Sequence, residues 1–385
     1  MSLRCTSSET RFKRKIMNDE LEFDGTVDKE AIMRALNMIN DPDLGKSIVE
    51  LGFIKNLRAC GGNVAFDIEL TTPACPVKEQ MHEQAIDLVR QIEGVENVAV
   101  NMTARTRQLV DIRGGIPGVK NTIAVAAGKG GVGKSTTAVN LALALVDMGA
   151  KVGLLDADIH GPSIPILLGV PDGETPDGEE EDGKQKIYPL DRFGLKLMSV
   201  GFLTERDSPI IWRGPMVGKM LSTFLQSVVW GDLDYLVIDL PPGTGDVQLT
   251  LIQNAPLSGA VIVTTPEAVA GEDVIRAGKM FEKMGQTLNI KVPILGVVEN
   301  MSWFEAPTGE RHYLFGEGGG QRIAGVFGVP LLGQVPREMG ITQGGDSGIP
   351  VLVSHPNSPV AGVYREIAGG VARRVATLAM EESEV

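Results

Sequence analysis

A chain of 385 residues, 43% of them hydrophobic, is long enough for two or three domains with a full core in each. Its formal net charge of −13 excludes general attraction to nucleic acid or to an anionic membrane surface. No apolar run reaches the roughly 18 residues of a bilayer span and no signal-peptide core is present, so neither membrane insertion nor secretion is expected.

Residues 1–25 read as a disordered tail, in which Arg11, Lys13, Arg14 and Lys15 form a short basic cluster followed at once by Asp19, Glu20 and Glu22. The three cysteines, Cys5, Cys60 and Cys75, suit a reducing compartment rather than a disulfide framework. The expected location is the cytoplasm, or a plastid or mitochondrial interior if the Ser-, Thr-, Arg- and Lys-rich start is a targeting remnant. A small α/β domain is expected over residues 26–103. Ile32, Ala35, Leu36 and Ile39 keep helical spacing over 28–40, and strands are expected over 53–58 and 63–70 around a turn at Gly61-Gly62. In the second strand Val64, Phe66, Ile68 and Leu70 mark one buried face. Thr71-Thr72-Pro73-Ala74-Cys75-Pro76 follows, then a helix over 77–92 and a strand over 95–102. Residues 104–120, with Gly114, Gly115, Pro117 and Gly118, read as a linker to a second domain over 121–385.

From Asn121 strands and helices alternate. Near-continuous apolar strands are expected at 121–127, 152–156, 235–239, 260–264 and 294–298, with helices over 135–148, 216–230, 247–253 and 267–284 as crossovers. The fold class is therefore α/β, with a mainly parallel sheet covered by helices on both faces and preceded by the small α/β domain. Asp172–Asp182 packs seven acids into eleven residues with Gly and Pro and reads as a solvated loop rather than an element. The last helix, over 358–380, contains Gly369 and Gly370 and runs into Glu381, Glu382 and Glu384, which does not suit a basic membrane-surface helix.

Gly128–Thr136, Gly-Lys-Gly-Gly-Val-Gly-Lys-Ser-Thr, has the P-loop form between a strand and a helix. Backbone N–H groups along Gly128, Lys129, Gly130, Gly131, Val132, Gly133, Lys134, Ser135 and Thr136 can wrap a phosphate at the positive end of the helix dipole. Lys134 adds a charge and Ser135 an oxygen for Mg2+. Three stretches lie at the carboxyl ends of strands, where a ligand binds such a sheet: Asp156–Ser163, Asp239–Asp246 and Glu299–Ser302. Asp239 suits a magnesium ligand, Gly243 an N–H donor to the γ-phosphate, Asp158 a water-orienting carboxylate and Asn300 a hydrogen bond to the base.

These stretches resemble the Mrp/ApbC group of iron–sulfur cluster carrier ATPases, within the deviant-Walker class that includes MinD, ParA and the nitrogenase iron protein. The likeness spans about residues 28–370. It rests on GKGGVGKST with Lys129, DADIHGPS, RGPM at Arg213–Met216, DLPPGTGD, ENMS, GGDSG at Gly344–Gly348 and, in the MIP18-like small domain, TTPACP. The resemblance implies that Lys129 reaches across a two-fold interface to the other subunit's ATP, giving a homodimer with ATP at the interface. It also implies Mg-dependent hydrolysis, with Lys129, Lys134 and Asp158 catalytic, coupled to transfer of a labile [4Fe–4S] cluster to apoproteins, alongside other cluster-assembly factors.

Many members of the group carry a C-x-x-C pair just after ENMS that bridges the cluster between subunits. Here Asn300–Gly309 holds no cysteine, and none occurs after Lys129; some plastid-type members with the same small domain lack the pair too. Glu305 and His312 are weak substitutes. Cys75, between prolines at the expected start of a helix, remains the candidate iron–sulfur ligand. The alternative of a MinD- or ParA-type spatial-organisation ATPase needs a membrane helix or a basic face. An electron-transfer protein like the nitrogenase iron protein needs cysteine pairs on the ATPase domain.

Overall fold

The computed structural model describes residues 26–42, 44–109, 114–159, 161–181, 183–203, 214–243, 245–288 and 292–383. The amino-terminal arm with Cys5, residues 110–113 of the expected linker, His160, Arg213 and Thr244 lie outside them. The chain divides into two compact units, residues 1–106 and 107–385.

In the first unit helix α1 (Lys29–Leu36) precedes strands β1 (Ile54–Cys60) and β2 (Asn63–Leu70), then helix α2 (Lys78–Arg90) and strand β3 (Asn97–Ala104). The sheet order is β1-β2-β3, with β1 antiparallel and β3 parallel to β2. Cys60 pairs with Asn63 across Gly61-Gly62, both at positive φ, which matches the twist of a two-residue hairpin. Val64, Phe66, Ile68 and Leu70 are buried together against Ile32 and Leu36 of α1 and Met81, Ala85 and Val89 of α2. The first helix is shorter than its apolar spacing suggests. Residues 38–40 leave it because the backbone of Ile39 accepts the Ile48 N–H and Asn40 bridges to Ser47.

The second unit is built on an eight-stranded sheet of order β15-β12-β11-β4-β10-β5-β9-β8. In chain order come β4 (Val119–Ala127), α3 (Lys134–Asp147), β5 (Val152–Asp156), α4 (Ile164–Leu167), and a hairpin of β6 (Asp177–Glu181) and β7 (Lys184–Tyr188). Then follow β8 (Leu190–Arg192), β9 (Leu195–Ser199), α5 (Gly214–Gln226), β10 (Leu233–Asp239), α6 (Asp246–Asn254), β11 (Gly259–Thr264), α7 (Ala268–Leu288) and β12 (Ile294–Asn300). A second small hairpin, β13 (Phe304–Glu305) with β14 (Arg311–His312), leads to α8 (Gly319–Phe327), β15 (Leu331–Val335), α9 (Met339–Asp346), α10 (Val351–Ser354) and α11 (Pro359–Ser383). Every pairing in the large sheet is parallel except β8 with β9.

Strands β5, β10, β11 and β12 are buried at every residue, as a sheet covered on both faces requires. Ala124 and Ala126 of β4 join a core with Leu221 and Phe224 of α5, Leu251 and Ile252 of α6, Val274 and Phe281 of α7 and Ile323 of α8. Helix α3 packs on the sheet and against α11; it is apolar almost all round and buried from Thr137 to Leu145, as a helix enclosed between layers must be.

The acidic stretch departs from expectation. Residues 177–181 form a strand rather than a loop, paired with 184–188. Lys186 bonds Glu181 and the Tyr188 hydroxyl bonds Glu179, so opposite charge across the ladder offsets the acid density. Ile187 fastens the hairpin to the body, donating its N–H to Ser227 and accepting from Val229 while its side chain enters the core.

Candidate nucleotide site

The parallel strands β4, β5, β10, β11 and β12 bring their carboxyl ends to one side of the sheet, and the phosphate loop, DADIHGPS, DLPPGTGD and ENMS each lie at one of those ends. The phosphate loop leaves β4 and enters α3 through Gly133, whose φ of +81° is the left-handed conformation that favours glycine. At Gly128 a side chain is excluded for a different reason: a Cβ would lie 2.3 Å from the Asp273–Val274 backbone of α7. The loop is thus wedged between α7 and the sheet.

Lys134, 6% exposed, sits between two carboxylates. Its Nζ donates to Asp239 Oδ1 at 2.7 Å and lies 3.3 Å from Asp158 Oδ2. The Ser135 hydroxyl donates to the other Asp239 oxygen at 2.6 Å. Asp239 ends β10, and its register partner on β5 is Asp156. Asp156, fully buried, accepts the N–H groups of Asp158 and Ile164, each at 3.2 Å, and the Ser199 hydroxyl at 3.0 Å. Its carboxylate therefore holds the start of the loop that carries Asp158. Burial pushes the Asp156 carboxyl up to about 8, with the Asp239 charge adding to the effect. Burial also raises Asp239, against the pull of Lys134 and the Ser135 hydroxyl. Asp239 and Asp158 both face the one ammonium of Lys134, and Asp239 with Ser135 offers the hard oxygen donors that magnesium takes. The residues fit that ion.

Two expected nucleotide contacts are occupied within the chain. The Gly243 N–H donates to the Ala127 carbonyl at 3.0 Å, tying the turn after β10 to the end of β4. The Asn300 amide donates to the Val132 carbonyl at 2.8 Å, behind the phosphate loop. Lys129 stands apart from the cluster: its Nζ lies 3.5 Å from Glu267, just beyond β11, and the Thr265 hydroxyl donates to the same carboxylate.

Cys75 belongs to the other unit. It is a half-buried thiol packed against that unit's core, and its carbonyl accepts the Lys78 N–H, so it lies two residues before the N-cap Val77 of α2 rather than opening the helix. Cys60 ends β1, buried and disulfide-bonded, which departs from the expectation of cysteines kept reduced. Asp156, Ser199 and Glu267 were not singled out by sequence. Asp156 carried a signal, an acid closing a wholly apolar strand; Ser199 and Glu267 carried none.

Residues 118–372 match the family model described as NUBPL iron-transfer P-loop NTPase, and residues 29–101 match that of an iron–sulfur cluster assembly protein. An iron–sulfur cluster carrier protein of Synechocystis sp. is 47% identical over 355 residues, 91% of this chain and 99% of the relative. A counterpart in Deinococcus radiodurans is 41% identical over 92% of this chain and 97% of its own length. A chloroplastic Fe–S cluster assembly factor of Arabidopsis thaliana is 43% identical over 91% of this chain, which spans 65% of that relative. Among solved structures, a nucleotide-binding protein of Archaeoglobus fulgidus in complex with ADP superposes with a TM-score of 0.51 at 40% identity, covering 62% of this chain and 90% of that one. The phosphate loop, the carboxylates at the strand ends and these matches agree, and the chain belongs to the NUBPL iron-transfer P-loop NTPase family.

Proposed function

We propose that this protein hydrolyses ATP with Mg2+ and uses the cycle to bind an iron–sulfur cluster and release it to apoproteins. The observation that carries the ATPase reading is the Lys134, Ser135, Asp239 and Asp158 constellation at the mouth of the phosphate loop. Lys134 is paired with Asp239. An entering triphosphate offers Lys134 stronger partners and draws it off the carboxylate. Asp239 and Ser135 would hold Mg2+, which would supply charge neutralisation at the phosphoryl oxygens. Gly243 exchanges its bond to Ala127 for a phosphate oxygen, and Asp158 orients the attacking water from the far side of Lys134.

Lys129 serves a second subunit. Freed from Glu267, it reaches the partner's nucleotide in a homodimer, where a cation delivered in trans adds about 10³–10⁵ in rate. Hydrolysis thus couples to opening of the dimer, and opening to release of the cargo. The cargo is held through Cys75, with remaining ligands from a second copy or from the client. The protein works in the cytoplasm, or in a plastid or mitochondrial interior. A spatial-organisation ATPase is less well supported, because the last helix buries Val360, Tyr364, Ile367 and Val371 and packs on α3 and β15 instead of offering an apolar side to a membrane.

Anaerobic reconstitution with iron and sulfide, comparing wild type with Cys75→Ala, tests the cargo assignment. Cys75→Ala is expected to lose most bound iron and most transfer to an apo-client while hydrolysing ATP normally. Equal iron and equal transfer in both proteins would remove Cys75 from the cluster site.

A further inference from the structure

Strand β12 ends at Glu299-Asn300, and neighbouring strand residues point to opposite faces of a sheet, so one side chain meets α8 and the other the phosphate loop. On the loop side the Asn300 amide, 7% exposed, grips the Val132 carbonyl at 2.8 Å. The carbonyl of Val132 and the N–H of Gly133 belong to one planar trans peptide and point in opposite directions. Fixing the carbonyl on Asn300 therefore turns the Gly133 N–H away from Asn300, leaving it to serve as a phosphate donor of the loop. The fit is tight: a Cβ on Gly133 would lie 2.1 Å from the Asn300 amide nitrogen.

On the other face Glu299, 1% exposed, accepts the Gly320 N–H at 2.6 Å and the Gln334 amide at 2.7 Å. Gly320 lies in the first turn of α8, where the helix dipole favours an anion. The Glu299 carbonyl accepts the Ser302 hydroxyl at 2.9 Å, closing the turn after the strand. Both carboxylate oxygens and the main chain of Glu299 are thus engaged, so the backbone from which Asn300 projects is held from the side away from the nucleotide.

We infer that Asn300 and Glu299 are positioning residues for nucleotide binding: Asn300 orients one phosphate-binding N–H of the loop, and Glu299 holds Asn300 in register. The pair acts on the phosphates through the backbone, not on the base. This rests on the ATP-binding reading given above.

Affinities of the full chain for ATP, GTP and inorganic tripolyphosphate, each by competition against a fluorescent ATP, test the inference. Asn300→Ala is expected to weaken all three by one common factor of about ten, the size of one lost oriented hydrogen bond, with the ATP-to-GTP preference unchanged. Glu299→Gln is expected to weaken all three in common by about threefold. A merely structural role would lower the unfolding temperature without a common loss of polyphosphate affinity in the folded protein. Asn300→Asp keeps the side-chain shape but cannot donate to Val132, so it repeats the test if the alanine variant fails to fold. Loss confined to ATP would assign Asn300 to the base and overturn the inference, as would unchanged affinity for all three. A wild-type chain that binds none of them would overturn the ATP-binding reading itself.

Discussion

Lys134 is the residue whose surroundings say most about how the site works. A buried ammonium is tolerated only when paired, and here its partner is the carboxylate expected to hold magnesium. On the proposed reading, ATP exchanges partners within one set of charges rather than filling a preformed hole. Asp158 lies 3.3 Å from the same ammonium with its main-chain N–H held by Asp156, and the proposed water-orienting role is separable from binding. Asp158→Asn is expected to bind ATP within about threefold of wild type and to lose about 10²–10⁴ in single-turnover hydrolysis, the range of a lost acid–base group. Equal turnover in wild type and Asp158→Asn would move the water-orienting role elsewhere. Lys129 behaves differently. Its ion pair is with Glu267, at partial exposure, where such a pair contributes little, so its effect should appear only on assembly. Lys129→Ala is expected to remove most ATPase activity and weaken nucleotide-linked dimerisation in sedimentation; full activity in a strictly monomeric Lys129→Ala protein would end the two-subunit model.

At the level of elements, what the sequence announced was set by local pattern. The strand, loop and helix around Gly128–Thr136 announce themselves because burial on both faces makes the strand uniformly apolar and a glycine run marks the phosphate loop. The same holds for β5, β10, β11 and β12. The acidic hairpin did not announce itself, since its pairing depends on ionic contacts across the ladder and on the seating of Ile187 beside Val228, neither of which has a period. Asn300 was legible as a site residue but not in its geometry, because its contact lies 168 positions away. The hairpin divides energetically along the same line. Ile187→Ala is expected to cost about 2–5 kcal/mol by the cavity it leaves, whereas Glu180→Ser, on the exposed strand, should change stability by less than about 0.5 kcal/mol. Equal costs in urea unfolding would show that the acidic strand carries weight of its own.

For the whole molecule, each unit has its own core, one around Phe66 and one around the large sheet. Calorimetry of the full chain is expected to show two unfolding transitions, of which Mg-ATP raises only one, by about 2.7 kcal/mol at a hundredfold excess over Kd, and EDTA cancels the shift. A single transition moving as a whole would mean that the units unfold together. The strand order has a further consequence, for the time course of synthesis. β4 lies between β10 and β11, which enter the chain more than a hundred residues later, and Lys134 precedes Asp239 by 105 positions. At roughly 5–20 residues per second on the ribosome, the phosphate loop emerges about 5–20 s before its floor exists. The leading unit can fold in that interval, since all its strands have by then been made. The nascent ATPase half, with its apolar strands unpaired, is where a chaperone would be needed, and nucleotide cannot rescue it before β10 and β11 arrive.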